Sequence, residues 1–89
     1  MPVVKLFASL RELAKVDEIK INECGRIEEV LRSIVNRFPE LKNELFDTNG
    51  KLRDHLLILI NGRNIKLLGE DYKINGNDVI FVFPPSGGG

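Results

Sequence analysis

The longest amphipathic pattern in the chain spans residues 26–38 and predicts a helix. Its apolar positions recur at intervals of three and four, as one face of a helix requires: Ile27, Val30, Leu31, Ile34, Val35 and Phe38. Pro39 should end this helix, because the residue before a proline is disfavoured in the helical region, and Pro39 can itself open the next turn. Shorter helical stretches are predicted over 9–15 and 41–46. The first should begin with a capping box made by Ser9 and Glu12.

Runs of β-branched and aromatic residues predict strands over 3–8, 17–21, 55–60 and 79–83. Asn61-Gly62 matches the signal for a two-residue hairpin, so 63–65 should pair back as a short strand. Residues 67–72 are expected to form an irregular connection. Pro84-Pro85 should end the pairing of the last strand, because proline has no amide hydrogen to donate.

This order of elements predicts an α+β fold of the β-grasp, or ubiquitin-like, type. A small mixed sheet is covered on one face by one main helix, and its first and last strands form a parallel pair. A ferredoxin-like sandwich has a similar order, but it needs a second full-length helix, and 40–46 is too short for one. We expect a domain over 1–83 and a flexible tail over 84–89, with the sequence Pro-Pro-Ser-Gly-Gly-Gly.

Two of the strands are apolar on both faces. In the strand over 55–60, Leu57 and Leu59 lie on one face and Leu56, Ile58 and Ile60 lie on the other. In the last strand, Ile80 and Val82 lie on one face and Val79, Phe81 and Phe83 lie on the other. Because only one long helix is predicted, one face of the sheet stays uncovered, and contiguous apolar patches usually mark a partner site. The alternative is that the short helical stretches and the 64–74 connection cover this face.

Length and charge exclude several function classes. The 89 residues suit one domain and leave no room for a large cleft between two lobes. Thirteen basic and thirteen acidic side chains cancel, so nothing in the net charge favours nucleic acid or an anionic membrane. No apolar run approaches the ~20 residues of a membrane span, and no secretory signal is recognised, so a cytoplasmic protein is expected.

The chain holds one cysteine, Cys24, and one histidine, His55, which excludes an internal disulfide and a cysteine–histidine metal site. Cys24 could carry a reactive thiol, but we favour a structural role for it. His55 could act in acid–base chemistry, but without an organised site around it we expect a residue at a strand edge.

The three terminal glycines carry the strongest chemical hypothesis. Gly87, Gly88 and Gly89 have no side chains, so the chain end can lie extended in a narrow tunnel of another protein. Pro84 and Pro85 would stiffen its exit from the sheet. An ionised carboxylate is a poor electrophile, and we expect its activation as an acyl-adenylate made from ATP. The alternatives are a disordered end or a remnant of expression.

Two segments together carry a family resemblance. Residues 6–13, Leu-Phe-Ala-Ser-Leu-Arg-Glu-Leu, and residues 77–85, followed by the glycines, resemble the small subunit of molybdopterin synthase and its archaeal-type relatives. Asn61-Gly62-Arg63 is similar as well. These proteins are ubiquitin-like sulfur carriers, and the resemblance covers essentially the whole chain.

The resemblance implies a subunit that donates sulfur and does not itself catalyse. An adenylating enzyme would activate Gly89 with ATP, and a sulfur donor would convert it to a thiocarboxylate. The tail, with Gly87 and Gly88 as its thread, would then enter the large subunit of the synthase, where the sulfur builds the dithiolene of molybdopterin. Phe7 and Phe83 match family positions that pack on partners, and Arg11 matches one that makes polar contacts with the large subunit. The resemblance implies neither a bound cofactor nor a metal.

The chain departs from this family at Ser86 and Gly87, which stand where an apolar residue and a small residue are common. The number of residues from the prolines to the terminus is kept, but an apolar anchor is lost. Three other functions stay open at this point: sulfur delivery to tRNA thiolation or thiamin, ubiquitin-like attachment of Gly89 to a lysine of a target protein, and simple binding by a β-grasp module.

Overall fold

A five-stranded mixed sheet organises the chain. The computed structural model describes residues 1–22, 25–69 and 71–85. The strands are β1 (Val3–Leu6), β2 (Glu18–Lys20), β3 (Leu57–Ile60), β4 (Arg63–Asn64) and β5 (Val79–Phe83). They lie in the order β2-β1-β5-β3-β4, with β1 parallel to β5 and the other pairs antiparallel. The prediction that the first and last strands form a parallel pair is confirmed, and with it the β-grasp fold.

Within the described part of the chain, four α-helices connect these strands: α1 (Ser9–Ala14), α2 (Ile27–Arg37), α3 (Lys42–Leu45) and α4 (Ile65–Leu68). The helix predicted over 26–38 is α2, within one residue at each end. A 3₁₀ turn, Pro39–Leu41, leads into α3 and places Pro39 at its first position, as expected. No helix among the described residues is long and apolar enough to cross a membrane.

The core lies between α2 and one face of the sheet. The inner face of α2 contributes Val30, Leu31 and Ile34, each of them fully buried. The alternation along the strands supplies the other side of the core, with side chains that are at most 2% exposed: Val4, Leu6, Ile19, Ile58, Ile60, Ile80 and Val82. The 3₁₀ turn and α3 close the end of this layer with Leu41 and Leu45.

The predicted hairpin between β3 and β4 is confirmed. Asn61 and Gly62 have φ angles of 53° and 88°, the pair of positive values that a type I′ turn needs. This turn brings Arg63 opposite Ile60. The register places Ile60 on the buried face.

Several predicted boundaries and one predicted cap are wrong. The cap position of α1 is Ala8, which has no side-chain cap; Ser9 is the first helical residue, so the capping box does not form. The first strand ends at Leu6 rather than at residue 8, because the turn that leads into α1 starts there. Strand β2 is shorter than 17–21 by one residue at each end, and β3 begins at Leu57 rather than at 55.

The segment after β4 also differs from its prediction. Residue 65 was expected in a strand and 67–72 in an irregular connection, but α4 covers Ile65–Leu68. The side-chain oxygen of Asn64 accepts a hydrogen bond from the backbone N–H of Lys66 at 2.9 Å. This cap favours a helical turn over a longer strand, because the Asn64 side chain satisfies a backbone N–H that has no partner in the first turn of a helix.

Candidate functional site

The sheet face opposite α2 is largely apolar, and no element of the described residues covers it. Along β5 the side chains of Val79, Phe81 and Phe83 are half-buried, while those of Ile80 and Val82 are fully buried. On β3, Leu57 is 42% exposed although it is a large apolar residue. Of the two interpretations of the apolar strands, the uncovered face is therefore the correct one.

Phe7, Phe81 and Phe83 form an aromatic cluster on this open face. The rings of Phe7 and Phe83 are stacked, with 4.3 Å between centroids and 10° between planes. The ring of Phe81 lies 6.1 Å from that of Phe7 at an angle of 26°. Aromatic pairs of this kind contribute about 0.5–1.5 kcal/mol beyond their buried area. The structure thus brings together Phe7 and Phe83, two of the three residues that the family resemblance singled out for a partner.

Strand register explains why the cluster lies at one edge of the sheet. β1 and β5 are parallel with Leu6 opposite Val82, so the next residues, Phe7 and Phe83, meet where both strands end. The antiparallel β3 starts at the same edge, with Leu57 opposite Phe83. Leu57 and Leu59 extend the aromatic cluster to an apolar face of five residues. Pro84 follows Phe83 directly, so the chain leaves the sheet beside this apolar face.

A charged pair borders the apolar face on the side of β2. Lys5 lies opposite Glu18 on β2 and opposite Phe81 on β5, so all three share the open face. The Lys5 Nζ atom is 3.9 Å from Glu18 Oε1 and 6.0 Å from the centroid of the Phe81 ring. The ammonium group therefore sits between a carboxylate and the aromatic cluster.

Arg11 is exposed on α1, which begins two residues after Phe7. The turn between them is strained, because Ala8 has φ 53° and ψ −129°, a conformation that favours glycine. Only Phe7 and Ala8 separate β1 from α1, so Arg11 lies on the element that directly follows the aromatic cluster.

Other residues singled out by the sequence lie elsewhere. Gly87, Gly88, Gly89 and Cys24 are outside the described residues. His55 is exposed before β3. Within residues 1–22, 25–69 and 71–85, no three histidine, cysteine or acidic side chains come together as a group that could hold a metal ion.

Sequence reasoning did not identify the buried carboxylate of Asp78, which is 3% exposed. Its oxygens accept hydrogen bonds from the Asn61 side-chain amide at 2.7 Å, the Tyr72 hydroxyl at 2.9 Å and the Asn75 backbone N–H at 2.9 Å. Asn61 Oδ1 in turn accepts from the backbone N–H of Val79. Asn61-Gly62 was visible as a turn signal, but nothing in the sequence showed that this turn bonds to Asp78.

Hydrogen bonding decides the charge state of Asp78. Burial acts to raise the pKa of the Asp78 carboxyl, but the hydrogen bonds from Asn75, Asn61 and Tyr72 outweigh it and hold that pKa below its ordinary value. The same bond to Asp78, with burial, raises the pKa of the Tyr72 hydroxyl. This network fixes the start of β5 against the β3–β4 turn, at the end of the strand opposite to the aromatic cluster.

A cavity of about 470 Å³ opens on the helical side of the sheet, between the start of α2 and α4. Apolar side chains of Ile27, Ile60 and Ile65 line it, with Arg26 and Lys66 at its rim. Of the predicted site residues that the structure describes, none lines this cavity: Phe7, Arg11 and Phe83 all lie elsewhere. The open face, and not this cavity, therefore carries the candidate site.

Comparison with known proteins agrees with this architecture. The chain is 33% identical over 87 residues to small archaeal modifier protein 1 of Haloferax volcanii, a match covering 96% of this chain and 97% of that protein. The solution structure of small archaeal modifier protein 1 from Methanosarcina acetivorans superposes with a TM-score of 0.87 at 35% identity, covering 99% and 95% of the two chains.

A Pyrococcus furiosus protein, provisionally named molybdopterin converting factor subunit 1, is also similar. It is 33% identical, with a TM-score of 0.69 over 94% of this chain and 95% of its own. The family model described as the ThiS family matches residues 4–89. This chain belongs to the ThiS family of ubiquitin-like sulfur carriers.

Proposed function

We propose that this chain is a sulfur carrier that is adenylated and thiocarboxylated at Gly89 and that it serves as the small subunit of a molybdopterin synthase. The sequence resemblance over 6–13 and 77–85 supports this assignment. The similarity to the Pyrococcus furiosus converting factor subunit over nearly the whole chain supports it further.

The observation that carries the proposal is the position of the apolar face. Phe7, Phe83 and Leu57 lie together where β5 ends, and Pro84 continues from that same point. A partner that binds this face would hold the tail at a fixed distance from its own active site. Docking would then also deliver the carboxylate, so that less entropy is lost when the tail finds the active site.

The chemistry follows from the reactivity of a carboxylate. In the adenylating enzyme, an oxygen of the Gly89 carboxylate would attack the α-phosphorus of ATP, form an acyl-adenylate and release pyrophosphate. A sulfur donor would then attack the acyl carbon, so that a C–S bond forms and AMP leaves. With a persulfide as the donor, this step gives an acyl disulfide. A thiol of the sulfur-transfer partner would then attack the donor's inner sulfur, so that a disulfide forms on the partner and the thiocarboxylate leaves. ATP is consumed by the partner, and no cofactor is proposed to reside on this chain.

Sulfur transfer would take place in the large subunit. The thiocarboxylate sulfur would attack a carbon of the pterin precursor there and displace an oxygen substituent from it, which leaves a thioester between Gly89 and the pterin. Water would then cleave the acyl–sulfur bond, so that the sulfur stays on the pterin and the Gly89 carboxylate returns for another cycle. Gly87 and Gly88 would pass through the narrow entry without steric conflict. Arg11, exposed on α1, would make polar contacts with the large subunit beside the apolar face.

Intact-mass spectrometry of the protein from its native host tests the proposal. We expect a population whose mass has gained one sulfur and lost one oxygen. Deleting Gly89, or adding one residue after it, should abolish ATP–pyrophosphate exchange, and Cys24→Ser should leave sulfur loading unchanged. Sulfur that disappears with the Cys24 thiol would place the cargo on a side chain and refute the terminal mechanism.

Protein conjugation is the second candidate function. The observation that favours it is the 33% identity with small archaeal modifier protein 1 over 96% of this chain. The same acyl-adenylate would then lead to an isopeptide bond between Gly89 and a lysine of a target protein. Lysine-linked conjugates in host extracts would support this route. Co-purification with a protein like the large synthase subunit would support the first.

A further inference from the structure

Lys5 is a charged residue that borders the apolar face on the side of β2. Its neighbours across the sheet are Glu18 and Phe81, and Phe7 follows two residues later on the same face. Its side chain is 42% exposed, so its stem already packs while its ammonium still reaches water. A partner that covers Phe7 and Phe81 must also cover Lys5.

The ammonium group has no hydrogen-bond acceptor at close range among these neighbours. The Glu18 carboxylate is 3.9 Å away, beyond hydrogen-bond distance, and the Phe81 ring at 6.0 Å offers only electrostatic attraction. An ammonium carries three donors, which water satisfies in the free chain. Docking would remove this water, and a buried cation without an acceptor costs several kcal/mol.

The balance of charge on the open face points to the acceptor. Lys20 lies opposite Val3 and shares the face with Lys5, so two cations face the single carboxylate of Glu18 on the strands of this surface. A partner carboxylate would satisfy the Lys5 donors with charge-assisted bonds and would offset the excess of positive charge.

We propose that Lys5 is a specificity determinant: the adenylating enzyme that activates this chain docks on the apolar face and places an aspartate or glutamate over Lys5 at the β2 border of that face. The inference rests on the proposed function, because it names the chemistry of the partner at the same face. Lys5 takes no part in the proposed reaction at Gly89, so it would act by choosing and orienting the partner.

Calorimetric titration with the recombinant adenylating enzyme of the same organism tests this inference. Lys5→Met keeps the apolar stem and removes the charge, and it should weaken binding by at least about 10-fold. Lys5→Arg should retain most of the affinity. Glu18→Gln should bind as tightly as the parent or a few-fold more tightly, because it removes an internal competitor for the ammonium. Lys42→Met, on α3 of the helical side, is the charge-matched control and should bind like the parent.

The outcomes separate this inference from the proposed function. ATP–pyrophosphate exchange with the parent chain tests activation itself and does not depend on Lys5. If exchange occurs and Lys5→Met binds with parental affinity at both low and high salt, Lys5 extends to the solvent at the rim and the inference is overturned. If Glu18→Gln weakens binding as much as Lys5→Met, the internal ion pair matters and not a partner carboxylate. Thermal melts of each variant confirm that the fold is intact.

Discussion

The side-chain amide of Asn61 donates a hydrogen bond to the carboxylate of Asp78 at 2.7 Å, although 17 residues separate them. Asn61 occupies the first position of the type I′ turn between β3 and β4, and Asp78 precedes β5. The backbone N–H of Asn61 also donates to the carbonyl of Val79 at 2.9 Å. The bond therefore sets the position of β5, and the aromatic cluster lies at the far end of that strand.

Replacing Asp78 should be costly for stability. Asp78→Ala leaves the Asn61 amide and the Tyr72 hydroxyl without their acceptor, and we expect the free energy of unfolding to fall by about 2–3 kcal/mol. Urea denaturation measures this change. Asp71→Ala is the control: its side chain is 94% exposed and pairs with Arg26 at the surface, so a loss above about 1 kcal/mol is not expected. An equal loss in both variants would contradict the network.

Stability should fall at acid pH because of the same carboxyl. The pKa of Asp78 is lower in the folded chain than in the unfolded one, so the folded state binds its proton less readily. Its contribution is complete above the unfolded value of about 4 and is lost as pH falls through the lower folded pKa. Asp47, whose pKa is lowered first by the backbone N–H of Lys51, contributes with the same sign. Thermal melts between about pH 7 and 2 should show that the stability of Asp78→Asn decreases less at acid pH than that of the parent.

Tyr72 should make the stability of the fold decrease at alkaline pH. Its hydrogen bond to Asp78 raises the pKa of the hydroxyl, so the folded state holds the proton more tightly than the unfolded chain does. Its contribution is present below about pH 10 and is lost as pH rises through the folded value. Tyr72→Phe should remove this alkaline dependence and lower the free energy of unfolding by about 1–2 kcal/mol at neutral pH. If Tyr72→Phe loses stability at alkaline pH as the parent does, other groups cause that loss.

Most of the fold could be predicted because its signals are local and repeated. The spacing of Val30, Leu31 and Ile34 indicates one helix face, and the alternation along β5 gives both of its faces correctly. The errors fall at element ends. Asn64 caps α4 through a side-chain bond, and Ala8 rather than Ser9 occupies the cap position of α1. Both outcomes depend on tertiary packing that local propensity does not contain.

The candidate site was predictable in part for a similar reason. Phe7 and Phe83 were singled out by family resemblance, and their contact follows from the parallel pairing of β1 and β5, which the order of elements predicts. Neither the position of Lys5 between Glu18 and Phe81 nor the bond from Asn61 to Asp78 could be predicted. Each depends on the register of two strands or turns that lie far apart in the sequence.

Ala8→Gly should stabilise the domain. Ala8 has φ 53° and ψ −129°, which costs a residue with a Cβ about 1–3 kcal/mol and costs glycine little. Glycine makes the unfolded chain more flexible, which offsets about 0.4–1 kcal/mol, so a net gain of roughly 1 kcal/mol is expected. Chemical denaturation measures it. Ala14→Gly, inside α1, is the matched control and should destabilise; a loss of stability in both variants would contradict the strain at Ala8.

Phe83→Ala should weaken partner binding far more than it weakens folding. The ring is half-buried and stacked on Phe7, so its loss should lower the free energy of unfolding by about 1–2 kcal/mol. An aromatic anchor at the centre of an interface commonly contributes about 2–4 kcal/mol to binding, or roughly 30- to 1000-fold in affinity. Arg11→Ala should cost less and show a stronger dependence on salt, as a charge at the rim of an interface does. Titration of the large subunit, beside thermal melts, measures both effects.

Phe46→Leu supplies the opposite control for this last experiment. Phe46 is 6% exposed in the core on the helical side, so its substitution should lower the free energy of unfolding by about 1–3 kcal/mol. Because it leaves Phe7, Leu57 and Phe83 in place, the folded fraction should bind the partner with parental affinity. If instead Phe46→Leu and Phe83→Ala weaken binding equally, the loss follows overall stability. The apolar face would then have no special part in recognition.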